Sequence, residues 1–129
     1  MNKKLVSTTR APQAVGPYSQ AISVHGMLFV SGQLPIDPTS GSLLPGNMRE
    51  QTEQVMNNLR AILEEANQSL SDVVKTTIYL KDMNDFAVVN EAYGSFFPDT
   101  PPARACIEVA RLPKDTAIMV DCIAVSSKS

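Results

Sequence analysis

The chain has 129 residues, of which 43% are hydrophobic and 19% charged, and its formal net charge is -2. This is one domain's worth of chain, so we expect a single domain over residues 1–129 that buries roughly two-thirds of its unfolded surface. A weakly acidic protein has no general attraction for phosphate backbones, and the eleven Lys and Arg residues are scattered rather than clustered. Nucleic-acid binding is therefore not expected.

Membrane, secretory and zinc-binding classes find no support in the sequence. No stretch approaches the roughly 20 apolar residues that a transmembrane helix needs. Residues 1–7 include two lysines, but no long apolar segment follows them, so they do not predict a secretory signal. Two cysteines and one histidine cannot form a zinc cage without several carboxylates. We expect a reduced, cytoplasmic protein without a metal.

The N-terminal part of the chain predicts short strands separated by loops. Residues 3–8, 21–24 and 27–31 predict strands, and His25-Gly26 predicts a two-residue hairpin turn because Gly accepts positive φ. The Pro and Gly residues between positions 35 and 46 predict a long excursion without regular structure.

A helical pattern begins at about residue 49. One apolar stripe recurs at helical spacing as far as residue 67: Val55, Leu59, Ile62, Leu63 and Ala66. Asn47 and Glu50 have the spacing of a capping box at the start of this helix. Asn67 can end the helix in a left-handed conformation.

The rest of the chain predicts a strand, a second helix and two final strands. Residues 73–80 are rich in β-formers, and Asp82 can cap a helix that stops before Pro98. The buried face of that helix is expected to comprise Phe86, Val89, Tyr93 and Phe96 or Phe97. Residues 103–110 and 117–125 predict the last strands. This order predicts an α+β fold, with about six strands in a mixed sheet and two helices on one face.

The last predicted strand is apolar on both sides. Ile118, Val120, Cys122 and Ala124 alternate with Met119, Asp121, Ile123 and Val125. A strand of this kind needs cover on both faces, and two helices can cover only one. We therefore expect the other face to meet another subunit.

Arg104 is unusual because it lies within a short run of small and apolar residues. Strand alternation places it on one face with Cys106 and Glu108. An Arg is costly to bury unpaired, so it either forms a structural salt bridge or reaches solvent at the strand end. The alternative is a planar fork that binds a ligand carboxylate through two parallel hydrogen bonds.

The last two strands are expected to form a hairpin with its turn near residues 113 and 114. Asp121 would then lie opposite Cys106 and near Arg104, as a general base for water or as a counter-ion. Cys122 would point away from Cys106, so no disulfide is expected in this hairpin. The arginine could lower the pKa of Cys106, but no histidine is near to serve as a base, which favours a pocket-lining role over a nucleophile.

Three further positions are candidates for a pocket. Tyr18, in a loop rich in Gly and Pro, can line a pocket or cap the core. Ser31 precedes Gly32, and a glycine at this point in a strand marks close approach of a ligand or a neighbouring chain. Asn90 lies beside the apolar stripe of the second helix, where a surface or hydrogen-bonding role is expected.

Four segments of the sequence closely resemble the RidA (YjgF) family, and the likeness extends over about residues 5–125. They are Gly16-Pro17-Tyr18-Ser19-Gln20, Ser31-Gly32-Gln33-Leu34-Pro35, the segment Lys75 to Phe86, and the segment Pro102 to Asp115. The resemblance implies a chorismate-mutase-like fold, assembled as a homotrimer with an inner barrel and with three clefts between subunits. It also implies that no cofactor is needed.

The activity that the resemblance implies is hydrolysis of 2-imino and enamino acids, such as 2-aminoacrylate and 2-iminobutanoate, to 2-keto acids and ammonia. Arg104 matches the arginine that binds the substrate carboxylate, and Tyr18, Ser31, Asn90 and Cys106 match pocket positions. Some relatives lack this arginine and are thought not to deaminate, so its presence favours an enzyme.

Asp121 stands where many deaminases have a Glu that orients the water. The Asp side chain is shorter by one C–C bond, about 1.5 Å. Misplacing a catalytic group by about 1 Å can cost on the order of 100-fold in rate, so activity is expected to be weak unless the shorter side chain is compensated.

Two rival functions come from other classes of protein. The first is a non-enzymatic regulator of amino-acid or purine biosynthesis, in which Arg104 binds a stable keto acid and the trimer contacts a partner protein. The second is a ribonuclease or translation inhibitor, a label that some relatives carry. The acidic balance and the lack of a basic, aromatic surface weigh against the second.

Overall fold

The computed structural model describes residues 2–127 of the chain. The strands are β1 (Lys4–Val6), β2 (Ala21–Val24), β3 (Met27–Gln33), β4 (Ile36–Asp37), β5 (Ser42–Leu43), β6 (Val73–Leu80), β7 (Ala103–Glu108) and β8 (Ile118–Val125). The α-helices are α1 (Met48–Glu65) and α2 (Phe86–Gly94). Short 3₁₀ helices cover Leu70–Asp72, Met83–Asp85 and Pro113–Asp115.

Six strands form one mixed sheet in the order β1-β2-β3-β8-β6-β7. The pairing of β6 with β7 is parallel, whereas the other pairs in this sheet are antiparallel. Helix α1 packs on β3 and β8, and α2 packs on α1 on the same side of the sheet. The prediction of an α+β fold with two helices on one face of a six-stranded sheet is confirmed.

The core lies between the two helices and one face of the sheet. The predicted stripe of α1 is buried there, and Val55, Leu59 and Ile62 are at most 1% exposed. Ile118 and Val120 of β8 join the same apolar cluster and are fully buried. Full burial of each such side chain contributes roughly 1.5–3 kcal/mol, so this face of β8 is the one that stabilises the subunit.

The local signals that begin and end the elements are confirmed. The Asn47 side chain accepts a hydrogen bond from the Glu50 backbone N–H at 2.9 Å, and the Glu50 carboxylate accepts one from the Asn47 N–H at 3.1 Å. Asn67, just beyond α1, has φ of 59°. His25 and Gly26 both have positive φ, which is the backbone of a tight β-hairpin turn between β2 and β3.

Three local predictions need correction. The excursion between residues 35 and 46 contains regular structure, because β4 and β5 pair as a small antiparallel hairpin. Asp82 caps a 3₁₀ turn ahead of α2, with its carboxylate accepting from the Asn84 N–H at 2.9 Å. Phe86, predicted to be buried, is 37% exposed because it opens α2 near the edge of the sheet.

The predicted hairpin between the last two strands is wrong. Helix α2 lies in the crossover connection that returns the chain parallel to β6, so β7 lies on one side of β6 and β8 on the other. In the resulting register Arg104 aligns with Thr76 and Cys122, whereas Asp121 aligns with Thr77. Arg104 therefore lies on the helix-covered face, and Asp121 lies on the opposite face.

The two cysteines also differ from the prediction. Cys106 aligns with Ile78, which aligns with Val120, so Cys106 and Cys122 share the helix-covered face. Strand β6 runs between them, and both thiols are free.

The face of the sheet without helices, here called the open face, has a largely apolar surface. Leu5, Phe29, Ile107 and Val125 are between 40% and 66% exposed there. Within residues 2–127 neither helix covers these side chains, as the two-sided apolar pattern of β8 predicts. An oligomer that covers the open face remains a prediction.

Candidate active site

The first group of candidate residues surrounds the guanidinium of Arg104, and we call it the arginine cluster: Arg104, Asn90, Phe86, Tyr93 and Cys106. Arg104 projects from β7 towards α2, where its Nη1 donates a hydrogen bond to Asn90 Oδ1 at 2.6 Å. The guanidinium carbon lies 5.5 Å from the Phe86 ring centre and 5.4 Å from the Tyr93 ring centre. One amide and two aromatic faces thus fix the orientation of the charge.

Arg104 has no carboxylate partner among residues 2–127, where the ion pairs involve other arginines. Glu108 shares its face of β7, but that carboxylate accepts a hydrogen bond from the Met83 N–H at 2.8 Å. The hydrogen bond to Asn90 uses one of the five guanidinium N–H groups. The remaining guanidinium N–H groups can bind a planar anion through two parallel hydrogen bonds.

Tyr93 holds one side of the cluster in place. Its hydroxyl lies 2.7 Å from Thr76 Oγ1 in a buried hydrogen bond to β6. Burial raises the pKa of Tyr93, while the hydrogen bond to Thr76 and the charge of Arg104 act in the opposite direction. The ring that faces Arg104 is therefore fixed at its far end.

Cys106 lies two residues beyond Arg104 on the same face. Burial raises the pKa of its thiol, and the positive charge of Arg104 offsets part of that rise. A thiol with a raised pKa is a poor nucleophile at neutral pH, which favours the pocket-lining role predicted for it. Cys122 is further from reactivity still, because burial and the nearby Asp121 raise its pKa to about 12.

The second group lies on the open face, and we call it the carboxylate cluster: Tyr18, Ser31, Asp121 and Tyr79. Tyr18, Ser31 and Asp121 line one depression of about 540 Å³ together with Phe29 and Ile123. An adjoining cleft of about 640 Å³ is lined by Tyr18 and Ser31 and by Gly32, Lys114 and Met119. Volumes of this size are ordinary for small-molecule pockets.

The loop that carries Tyr18 is held by Gln20, which is 3% exposed. The Gln20 Oε1 accepts from the Thr8 N–H at 2.7 Å, and its Nε2 donates to the Pro12 carbonyl at 2.7 Å. Ser31 is tied to the same loop, because its hydroxyl donates to the Ser19 carbonyl at 2.6 Å. Both pocket positions are thereby fixed to the end of the sheet.

Gly32 permits a close approach within the chain. The register of β3 against β8 shifts between Val30 and Gln33, which marks a bulge at this point. A Cβ at Gly32 would lie 2.6 Å from the Met119 sulfur. The glycine therefore lets a β8 side chain pack against the backbone beside Ser31.

Asp121 is oriented by a tyrosine of the adjacent strand. The Tyr79 hydroxyl donates to Asp121 Oδ2 at 3.0 Å. Burial raises the pKa of Tyr79, and the hydrogen bond to Asp121 and its negative charge raise it further. The phenol therefore stays protonated and serves as a donor at neutral pH.

The six residues predicted from the sequence divide into two sets. Arg104, Asn90 and Cys106 meet beside α2, whereas Tyr18, Ser31 and Asp121 meet on the open face. Within one chain the sheet lies between the two sets, so the prediction that Arg104 and Asp121 are neighbours is wrong.

Sequence reasoning missed four side chains that position these residues: Phe86 and Tyr93 as contacts of Arg104, Gln20, and Tyr79. For the first two a signal was present, because residues 86, 90 and 93 have the i, i+4, i+7 spacing of one helix face. Gln20 and Tyr79 had no comparable signal, since their partners lie on other elements.

Neither metal ligands nor a membrane span is found in the described part of the chain. Residues 2–127 contain no group of three or more His, Cys, Asp and Glu side chains placed to hold a metal ion. In the same range no helix combines the length and apolarity needed to cross a bilayer.

Comparison with known proteins identifies the family. The family model described as endoribonuclease L-PSP matches residues 8–126. A RutC family protein of Pyrococcus abyssi is 53% identical over 124 residues, covering 96% of this chain and 98% of the relative. The 2-iminobutanoate/2-iminopropanoate deaminase of mouse is 47% identical, covering 95% and 91% of the two chains. The crystal structure of Escherichia coli TdcF with bound serine superposes with a TM-score of 0.92, at 42% identity over 96% of this chain and 99% of TdcF. The chain therefore belongs to the endoribonuclease L-PSP family, the RidA family that its sequence motifs resemble.

Proposed function

We propose that this protein is an imine deaminase that hydrolyses small 2-imino acids to 2-keto acids and ammonia. The main support for the proposal is the surroundings of the Arg104 guanidinium. Asn90 and two aromatic rings contact it, yet it has no carboxylate partner within residues 2–127. Relatives that are 46–47% identical to this chain are named 2-iminobutanoate/2-iminopropanoate deaminases. TdcF, which is 42% identical, has been crystallised with serine, a small molecule that carries a carboxylate.

In this proposal Arg104 binds the substrate carboxylate through the part of its fork that Asn90 leaves free. The carbon atom of the protonated imine then faces a water molecule. Water adds to this carbon while Asp121 accepts a proton from it, giving a neutral carbinolamine. Asp121 returns the proton to the nitrogen, and the carbon–nitrogen bond breaks as a carbon–oxygen double bond forms. The hydroxyl proton passes to the departing ammonia, so the products are the 2-keto acid and ammonium. No electron transfer takes place, so the reaction requires no redox cofactor.

The proposed site is shared between two subunits of a homotrimer. Arg104 and Asp121 lie on opposite faces of the sheet, so one chain cannot place both against one substrate. The exposed apolar side chains of the open face need cover, and a second copy can provide it. Such packing would bring the arginine cluster of one subunit to the carboxylate cluster of the next.

Tyr18 and Ser31 suit the substrate-binding roles proposed for them. The Ser31 hydroxyl hydrogen is donated to the Ser19 carbonyl, so the oxygen presents lone pairs to the depression. A lone pair can accept from the iminium N–H and orient the carbon–nitrogen bond. Tyr18 provides a ring that is 49% exposed at the border of the depression and the adjoining cleft.

The test couples this protein to a threonine dehydratase and measures the acceleration of 2-ketobutyrate release from the imine. Arg104→Ala is expected to lose on the order of a hundredfold or more in kcat/KM, because the substrate is no longer positioned. Arg60→Ala is the matched control. Arg60 also contacts an asparagine and an aromatic ring, Asn57 and Phe96, but it belongs to neither cluster and lines neither the depression nor the adjoining cleft, so we expect full activity.

The same variants separate an enzyme from a regulator. A titration calorimetry experiment with 2-ketobutyrate measures binding without turnover. If wild-type protein binds this keto acid through Arg104 but does not accelerate imine hydrolysis, the protein is a keto-acid-binding regulator and the deaminase proposal fails. Activity that survives in Arg104→Ala would contradict the proposal in a different way, by removing the arginine from the site.

A further inference from the structure

The hydrogen bond between Tyr79 and Asp121 joins two central strands on the open face. Asp121 of β8 aligns with Thr77 of β6, and Tyr79 follows Thr77 by two residues on the same face. The phenol therefore reaches Asp121 along the diagonal of a strand pair, a span that a tyrosine can bridge. Its hydroxyl donates to Oδ2 at 3.0 Å, which leaves Oδ1 without a hydrogen bond from residues 2–127.

We infer that Tyr79 is a positioning residue for the hydrolytic water, acting through Asp121. This inference rests on the proposed function, in which Asp121 accepts a proton from that water. With Oδ2 held by the phenol, the carboxylate keeps one rotamer and directs Oδ1 to the depression that Tyr18 and Ser31 also line.

The length of the aspartate side chain is what makes this pairing possible. A glutamate at position 121 would carry its carboxylate about 1.5 Å further from the sheet, beyond the point where the phenol now donates. The aspartate carboxylate instead stays close to the strand surface, within reach of Tyr79. Tyr79 and Asp121 thus act as a pair, in which the tyrosine supplies the orientation that the short side chain lacks.

Other charged or titratable groups near this side do not replace the tyrosine. Lys75 lies on the same face of β6, and Lys3 and Tyr18 line the depression beside Asp121. Among residues 2–127 none of these three forms a hydrogen bond or an ion pair with Asp121. The phenol of Tyr79 is therefore the donor that sets the carboxylate orientation.

The kinetic test compares Tyr79→Phe, Asp121→Asn and the double variant in the coupled imine assay. Tyr79→Phe is expected to lower kcat about tenfold, the usual loss for a hydrogen bond to a charged group, with KM unchanged within about twofold. In the Asp121→Asn background the same change is expected to have no further effect. Lys75→Met, a polar-to-apolar change on the same strand and face, is the matched control and is expected to keep wild-type kcat.

A second measurement tests the hydrogen bond between Tyr79 and Asp121 without relying on activity. With ¹³C-labelled tyrosine, NMR follows the titration of each phenol, and Tyr79→Phe identifies the Tyr79 signal. Burial and Asp121 both raise the pKa of Tyr79, so Asp121→Asn should lower it towards its ordinary value of 10. Lys75→Met should not lower it.

The outcomes separate the two proposals. If Asp121→Asn keeps full activity, the role of Asp121 in the proposed function fails, and the inference about Tyr79 fails with it. If Asp121→Asn is inactive while Tyr79→Phe keeps wild-type kcat, the proposed function stands and the inference is overturned. A parallel loss in Tyr79→Phe that persists undiminished in the Asp121→Asn background would show a structural role and also overturn it.

Discussion

The arginine cluster and the carboxylate cluster differ in what lies over them within one chain. The arginine cluster is assembled within the subunit, since α2 provides Asn90, Phe86 and Tyr93 to hold the guanidinium from β7. The carboxylate cluster is also held by hydrogen bonds, but it lies among apolar side chains of the open face that neither α1 nor α2 covers. Both halves of the proposed site are thus held within the subunit, but the second half lies on the face that the proposal assigns to an interface with a neighbour.

The two charges also act on separate neighbours. Arg104 lowers the pKa of Cys106 and Tyr93 on its side of the sheet, while burial raises both. Asp121 adds to the effect of burial in raising the pKa of Tyr79 and Cys122. Because the sheet separates the charges, neither neutralises the other within a chain. In the proposed function both remain available to a substrate that carries a carboxylate and an iminium group.

Subunit mixing gives the largest expected effect and tests whether the site is shared. Arg104→Ala and Asp121→Ala proteins are each expected to be nearly inactive. When they are unfolded, mixed in equal amounts and refolded together, about a quarter of the clefts in a cyclic trimer should combine an intact Arg104 with an intact Asp121. The coupled assay should then recover about that fraction of wild-type activity.

The control for mixing is to combine the two variants without unfolding, so that no subunits exchange. Activity should stay at the level of the separate variants. If the refolded mixture also stays inactive while sedimentation shows mixed oligomers, the two residues do not serve one site across an interface. The division between the clusters would then have no catalytic meaning.

Asn90→Ala tests how far the arginine cluster is preorganised. The variant leaves Arg104 in place but removes the acceptor 2.6 Å from its Nη1. We expect KM for the imine to rise about tenfold with little change in kcat, because a hydrogen bond to a charged group contributes about 1.5–3 kcal/mol and partial exposure reduces that figure. Steady-state kinetics in the coupled assay measure the split.

Asn57→Ala is the matched control, because Asn57 accepts from Arg60 on α1 in the same way. It is expected to leave both kinetic constants unchanged. A fall in kcat rather than a rise in KM for Asn90→Ala would show that Asn90 contacts the reacting atoms, as a direct pocket residue would.

Local patterns in the sequence predicted the elements well because their causes are local. The Asn47–Glu50 capping box, the His25-Gly26 turn and the alternation that groups Arg104 with Cys106 each depend on residues close together in the chain. The apolar stripe of α1 likewise identified the core face. Motif resemblance added the family, which the comparisons confirm.

The sequence could not predict which strands are neighbours. A connection of about nine residues between two strands fits a hairpin, and hairpins are the commoner choice for consecutive strands. Here α2 had already returned β7 parallel to β6, so β8 could pair with β6 on its free side instead. That one difference moved Asp121 to the other face of the sheet and brought Tyr79, not Arg104, to its side chain.

The smallest effect expected concerns the thiol of Cys106, which reports the field of Arg104 on its own side of the sheet. Burial raises the pKa of Cys106 and Arg104 lowers it, so removing Arg104 should raise that pKa further. Because the thiolate is the reactive form, Arg104→Ala should slow alkylation by iodoacetamide at pH 8 by a few-fold, and Arg60→Ala should not. Intact-mass spectrometry follows the reaction, and Cys122, with a pKa of about 12, should stay unmodified.

Faster alkylation of Cys106 in Arg104→Ala would mean that the arginine side chain blocks access to the thiol more than its charge lowers the pKa of the thiol. If wild-type Cys106 is instead alkylated as fast as an unburied thiol, it becomes a candidate nucleophile again. The contrast between an Arg104 held in place to bind an anion and an unreactive thiol beside it would then be weaker.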